Sequence, residues 1–104
     1  HGFTGPAEMV PPMIELGMHF SFGGMVTRSD ASRCREAAAV VPIDRLLIES
    51  DTPDHKPSGF EGGLNEPASL QMVLDALVET RSESRKDLDI ATSTNAARLY
   101  RLPH

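Results

Sequence analysis

Two short strand-like runs separated by one helical segment restrict this chain to a parallel α/β arrangement. In HFSF, residues 19–22, His19 and Ser21 alternate with Phe20 and Phe22, the two-residue period of a strand. In RLLIES, residues 45–50, an apolar run ends in polar side chains. Between the runs, Ala31, Cys34, Ala37, Ala38 and Val41 recur at helical spacing, with Ser29 or Asp30 as a cap and Pro42 as a stop. A strand, helix, strand order implies parallel strands joined by a right-handed crossover.

The flanking segments are predicted to be mostly helical. Gly5-Pro6 with Glu8 resembles a helix start, which Pro11-Pro12 then interrupts. A helix restarts at Pro12 and runs to Leu16, with Gly17 as its stop. A polar, Gly-rich loop runs from Asp51 to Glu66. Asn65-Glu66-Pro67 marks a helix start, where the Glu66 carboxylate complements the helix dipole. Leu70, Val73, Leu74 and Leu77 then form an amphipathic stripe. A last helix, Asp87 to Tyr100, turns Leu88, Ala91 and Leu99 inward, with Thr94 and Asn95 as local side-chain-to-backbone hydrogen bonders.

The chain has 104 residues, enough for one domain over 1–104. A closed (β/α)8 barrel needs about 250 residues, so the chain reads as the end of such a fold. It opens on His1 rather than Met, as a processed chain or a piece of a longer one would. No apolar run approaches the ~20 residues of a membrane span, and no signal-peptide pattern precedes the first helix. A cytoplasmic location without membrane contact is therefore expected. The net charge of −5 argues against nonspecific nucleic-acid binding. An acidic chain still reaches phosphate where a metal or a local basic patch supplies positive charge. Cys34 is the only cysteine, which excludes a disulfide within the chain. It fits the apolar stripe as a buried thiol; the alternative is a thiol acidified by Arg33 and Arg35.

The chemistry-bearing residues gather at the end of the second run. Strand alternation puts Leu47, Glu49 and Asp51 on one face. Two neighbouring carboxylates repel unless a cation or proton intervenes, which a divalent metal would satisfy. A solvated strand end fits the same pattern. His1 precedes the turn Gly2-Phe3-Thr4-Gly5 and can offer a neutral nitrogen to a metal, or stand free in solvent. Asp54 and His55 complete a D-x-x-D-H cluster that reads as unsupported loop residues rather than ligands. His19 and His104 carry no expected role.

HGFTG, SFGG, PIDRLLIESDTP, NEPA and TNAARLY occur here in the order and approximate spacing of the C-terminal part of TatD-family metal-dependent hydrolases. The resemblance covers essentially the whole chain. It implies the C-terminal part of a (β/α)8 TIM barrel of the amidohydrolase type, about strands six to eight with their helices. It implies a deoxyribonuclease-like hydrolase that cleaves phosphodiester bonds, including 3′-to-5′ exonuclease action, through water activated by divalent metal ions. Two ions, Zn, Mn or Mg, are implied, with DNA or a small phosphoester as substrate. His1 and Asp51 match metal ligands of the sixth and eighth strands, Asp51 also orienting or deprotonating the water. Glu49 matches an acid that handles protons. The family's His-x-His pair, a strand-end Glu and a further His would lie upstream of His1 with the remainder of the barrel. The isolated chain is accordingly expected to be incomplete and inactive.

The sequence also departs from the family. Gly23 stands where a Ser is usual, and Glu61-Gly62-Gly63-Leu64 replaces a basic Arg-Gly-Lys stretch. Thr52 and Asp54 flank Pro53 in place of a small residue and an aromatic, and Pro11-Pro12 falls in a helix that is normally continuous. Two alternatives follow: an amidohydrolase-type enzyme acting on a small ester or amide, or a non-catalytic interaction fragment of a barrel.

Overall fold

Strand β1 (Phe20–Phe22) and strand β2 (Leu46–Ile48) pair in parallel, with Phe20 opposite Leu46, Ser21 opposite Leu47 and Phe22 opposite Ile48. The pleat turns Phe20, Phe22 and Leu46 into the core, each at most 2% exposed. Helix α1 (Val10–Glu15) precedes the pair, and helix α2 (Ser32–Val40) makes the crossover that parallel pairing requires. Helices α3 (Leu70–Thr80) and α4 (Arg85–Leu99) close the core, α3 against α2 and α4 against β2. The structure, a computed structural model, describes residues 1–61, 63–65 and 67–102. Glu66, with its expected dipole role, and His104 lie outside the described residues.

Both strands are shorter than the sequence predicts, because turns claim their ends. A 3-10 turn at Ile43–Arg45 delivers the chain into β2, and Asp51 leaves in a left-handed conformation with φ 53°. The ladder continues one step further, since the Glu49 N–H donates to the Phe22 carbonyl at 2.9 Å. Phe22 thus bonds toward β2, and neighbouring Ser21 bonds toward the opposite edge. There its carbonyl accepts the Phe3 N–H at 3.0 Å. The first residues therefore lie alongside β1 as a further strand would.

Pro11 and Pro12 do not interrupt a helix, contrary to expectation. A 3-10 turn at Ala7–Met9 runs directly into α1, and the prolines occupy its first turn. Their missing N–H groups would have no intrahelical partner there. Gly17, at φ 82°, follows the helix as predicted. In α2 the stripe Ala31, Cys34, Ala37, Ala38 and Val41 is buried throughout. Neither Ser29 nor Asp30 caps it: the capping position falls on Ala31, and Asp30 pairs with Arg28 at 3.2 Å instead.

Helix α3 starts through a 3-10 turn at Pro67–Ser69 and buries Val73, Leu74, Ala76 and Leu77. Helix α4 starts earlier than predicted because Ser84 accepts the Asp87 N–H at 3.1 Å, an N-cap. Leu88 is buried, but Leu99 is 42% exposed, correcting its inward assignment. It borders the open cleft toward which Ser21 and Leu47 point. Asn95 is also corrected. Its amide N–H groups donate not to nearby backbone but to the Ile43 and Leu46 carbonyls, at 2.7 and 2.9 Å, fastening the start of β2, while its Oδ1 accepts from Arg98 at 2.8 Å. The local bond belongs to Thr92, which donates to the Leu88 carbonyl at 2.9 Å. Among the described residues no helix is long and apolar enough to cross a membrane.

Candidate functional site

Two clefts meet at the C-terminal end of β2, the end where parallel α/β folds gather ligand-binding groups. One, of about 610 Å³, is bordered by His1, Ser21, Leu47, Glu49, Asp51 and Tyr100. The other, of about 240 Å³, is bordered by His1, Phe3, Gly23, Glu49, Asp51 and His55. His1, Glu49 and Asp51 border both, so the start of the chain shares one rim with two carboxylates that follow β2. Glu49 is half-buried and its Oε2 accepts the Gly2 N–H at 2.7 Å. That bond ties the segment carrying His1 to the acid that ends β2.

Asp51 is exposed, and its aim comes from the turn around it rather than from strand alternation. Its left-handed backbone breaks the alternation, and its carbonyl accepts the Asp54 N–H at 2.8 Å. Its Oδ2 lies 3.2 Å from Nε2 of His55. Contrary to the sequence expectation for Asp54 and His55, the loop from Asp51 is supported. The Asn65 amide donates to the Ser50 carbonyl and, at 2.6 Å, to the Asp54 carbonyl. The Ser58 N–H donates to Thr27 Oγ1 at 2.8 Å. Gly24 makes the last brace possible: a Cβ there would sit 2.1 Å from the His55 carbonyl oxygen, so only glycine fits. No local pattern announces these supports, because Asn65 reaches carbonyls 11 and 15 residues upstream.

The donor set suits a divalent cation in kind, since imidazole and carboxylate groups bind Zn, Mn or Mg. In number it falls short of an enclosed site. Among the described residues no group of three or more His, Cys, Asp or Glu side chains could hold a metal ion. A catalytic site draws on three or more protein ligands. Among the described residues neither cleft is bordered by a Lys or Arg, and Glu49 and Asp51 make the shared rim acidic. His19 borders the larger cleft from its other end; burial, then Arg45 and Arg98, holds its pKa below the usual 6.5. Cys34 lies away from both clefts. Burial pushes its thiol above the usual value, although Arg35 pulls the other way. It faces the Phe3 carbonyl at 3.5 Å, the position of a structural thiol rather than an acidified one.

A sequence model of the TatD related DNase family matches residues 1–101. The uncharacterized metal-dependent hydrolase YabD of Bacillus subtilis (strain 168) is 36% identical over 102 residues, which span 98% of this chain and 40% of that protein. The uncharacterized metal-dependent hydrolase TatD of Mycobacterium tuberculosis is 32% identical over 98% of this chain and 39% of its own length. The crystal structure of YjjV, a TatD homologue from Escherichia coli K12, superimposes with a TM-score of 0.91 at 33% identity. That match covers 99% of this chain and 40% of YjjV. The chain thus spans about two-fifths of the length of these relatives.

Proposed function

The chain belongs to the TatD family, and on that premise we propose that it forms strands six to eight of an amidohydrolase-type (β/α)8 barrel, with their helices. The proposed reaction is divalent-metal-dependent hydrolysis of a phosphodiester, with DNA, attacked from its 3′ end, or a small phosphoester as substrate. The remainder of the barrel is proposed to lie upstream of His1 and to bring the missing ligands. The proposed compartment is the cytoplasm. What carries this reading is that Glu49 and Asp51 leave the end of a parallel strand into the clefts that His1 also borders.

His1 and Asp51 are the proposed ligands, for two ions of Zn, Mn or Mg. When bound, a divalent metal polarises the phosphoryl oxygen and brings the pKa of water toward neutrality. Asp51 presents an exposed carboxylate that accepts a hydrogen bond from the attacking water and aligns it. His1 offers an imidazole nitrogen on the same rim. Glu49, fixed by the Gly2 N–H, is placed to take up a proton.

The test uses the longer, family-length protein that carries this segment, assayed on single-stranded DNA with and without a chelator. Asp51→Asn is expected to lower the rate by about 100-fold or more, and an unchanged rate would remove Asp51 from the mechanism. One observation favours a second reading: without Lys or Arg on the rim, a small ester or amide meets less repulsion than a polyanion. Faster turnover of p-nitrophenyl acetate than of DNA, still chelator-sensitive, would decide for it. By itself the 104-residue chain is expected to be inactive and to associate through its uncovered strand face.

A further inference from the structure

We propose that Asn65 is a positioning residue for Asp51, setting the turn that aims this carboxylate; the inference rests on the reading of Asp51 as a metal ligand. Asn65 is 2% exposed, and its polar side chain is fully used. Its amide donates to the carbonyls of Ser50 and Asp54, the residues on either side of the turn that begins at Asp51. Its own N–H donates to the Pro53 carbonyl at 3.1 Å. Its Oδ1 accepts from the Ser69 hydroxyl, itself buried where α3 begins. Three carbonyls from one five-residue turn therefore converge on one asparagine, and helix α3 anchors that asparagine in turn.

Asp51 requires such a clamp. A left-handed φ of 53° is disfavoured for a residue with a Cβ and persists where its surroundings fix it. The Asp51 side chain adds little to that fixing: it is exposed, and among the described residues its ion pair is with the likewise exposed His55 of the same loop. Free of Asn65, the backbone would relax toward ordinary negative φ and swing the carboxylate off the rim shared with His1 and Glu49. Leucine has nearly the shape of asparagine but no polar atoms. Asn65→Leu therefore releases the turn without adding a charge that would itself attract a cation.

The experiment uses the longer, family-length protein that carries this segment, with Mn2+ alone as the probe. Paramagnetic broadening of the Gly2, Glu49 and Asp51 amide signals reports occupancy. Hydrogen exchange at the Asp54 amide reports the turn, and exchange at Leu77 and Leu88 reports the core. Asn65→Leu is expected to speed Asp54 exchange and to raise the Mn2+ midpoint about 10-fold or more, the usual scale for a residue that orients a ligand. Leu77 and Leu88 should stay protected. Ser69→Ala is expected to act in the same direction more weakly, and Ser69→Thr, which keeps the hydroxyl, to restore the original midpoint. An unchanged midpoint and unchanged Asp54 exchange in Asn65→Leu would overturn the proposal. If Asp51→Asn leaves the Mn2+ midpoint unchanged, the ligand role of Asp51 fails, and Asp54 exchange still decides whether Asn65 holds the turn. If Asn65→Leu unfolds the chain, the paired Ser69 variants decide.

Discussion

Strand β2 is fastened at each end by a buried asparagine, and the two ends differ in what the fastening protects. At the start, Asn95 of α4 donates to the Ile43 and Leu46 carbonyls. At the finish, Asn65 donates to the Ser50 and Asp54 carbonyls. Both asparagines are 2% exposed. Their partners are not alike: Leu46 is fully buried, whereas Ser50 is half-buried and Asp54 exposed. Water can replace a lost bond at the finish but not at Leu46. The start is therefore held for stability and the finish for aim, which is the division expected between the two faces of a parallel α/β layer.

The sharpest way to break this comparison is to remove both clamps in parallel. Asn95→Leu should cost about 3 kcal/mol in urea unfolding, since at least one deeply buried carbonyl loses its only donor among the described residues. Asn65→Leu should cost about 1–2 kcal/mol, because its carbonyls can turn to water. Equal losses would show that the finish is as structural as the start. Asp51→Gly should stabilise by about 0.5 kcal/mol, since glycine accepts a left-handed φ but has a more disordered unfolded chain. A thermal melt showing the variant destabilised would mean that the Asp51 side chain supports the fold.

A smaller effect concerns acid. Arg81 donates to the Ala38 and Val41 carbonyls, bracing the approach to β2, and pairs with Glu83 at 2.9 Å. That hydrogen bond holds the Glu83 pKa below the usual 4.5. A depressed folded-state pKa gives stability that is present above 4.5 and lost as pH falls through the lower folded value. Glu83→Gln should flatten the acid limb of stability by less than about 1 kcal/mol, measured as urea midpoints on either side of pH 4.5. An unaltered acid limb would remove this pair from the start of β2.

Much of the core was legible in the sequence because burial follows periodicity. The α2 stripe, Val73, Leu74 and Leu77 of the α3 stripe, and the alternating Phe20 and Phe22 point inward as their spacing predicts, while Leu70 is half-buried. Leu99 follows the same rule yet stays exposed, because it faces the side of the strand pair left open as a cleft. The site was legible only as a set of candidates. Strand alternation placed Glu49 and Asp51 together, and they do share a rim, but through a left-handed turn that no periodicity describes. The sequence marks His55 and Asn65 only as loop and helix-start residues, since the turn that brings His55 onto Asp51 is held by Asn65 reaching carbonyls 11 and 15 residues upstream.

The sequence by itself determined which segments are strand and helix, that the strands run parallel, and which carboxylates stand at the end of β2. Those are consequences of backbone geometry acting over a few residues. Only the tertiary structure decided how Asp51 is aimed, that Gly2 grips Glu49, and that Asn65 and Asn95 fasten opposite ends of β2. Each of these depends on a buried donor finding a carbonyl 11 to 52 residues away, or on the Gly2 N–H meeting a carboxylate 47 residues on. Such partners are fixed by the requirement to satisfy every buried polar group once the chain is folded.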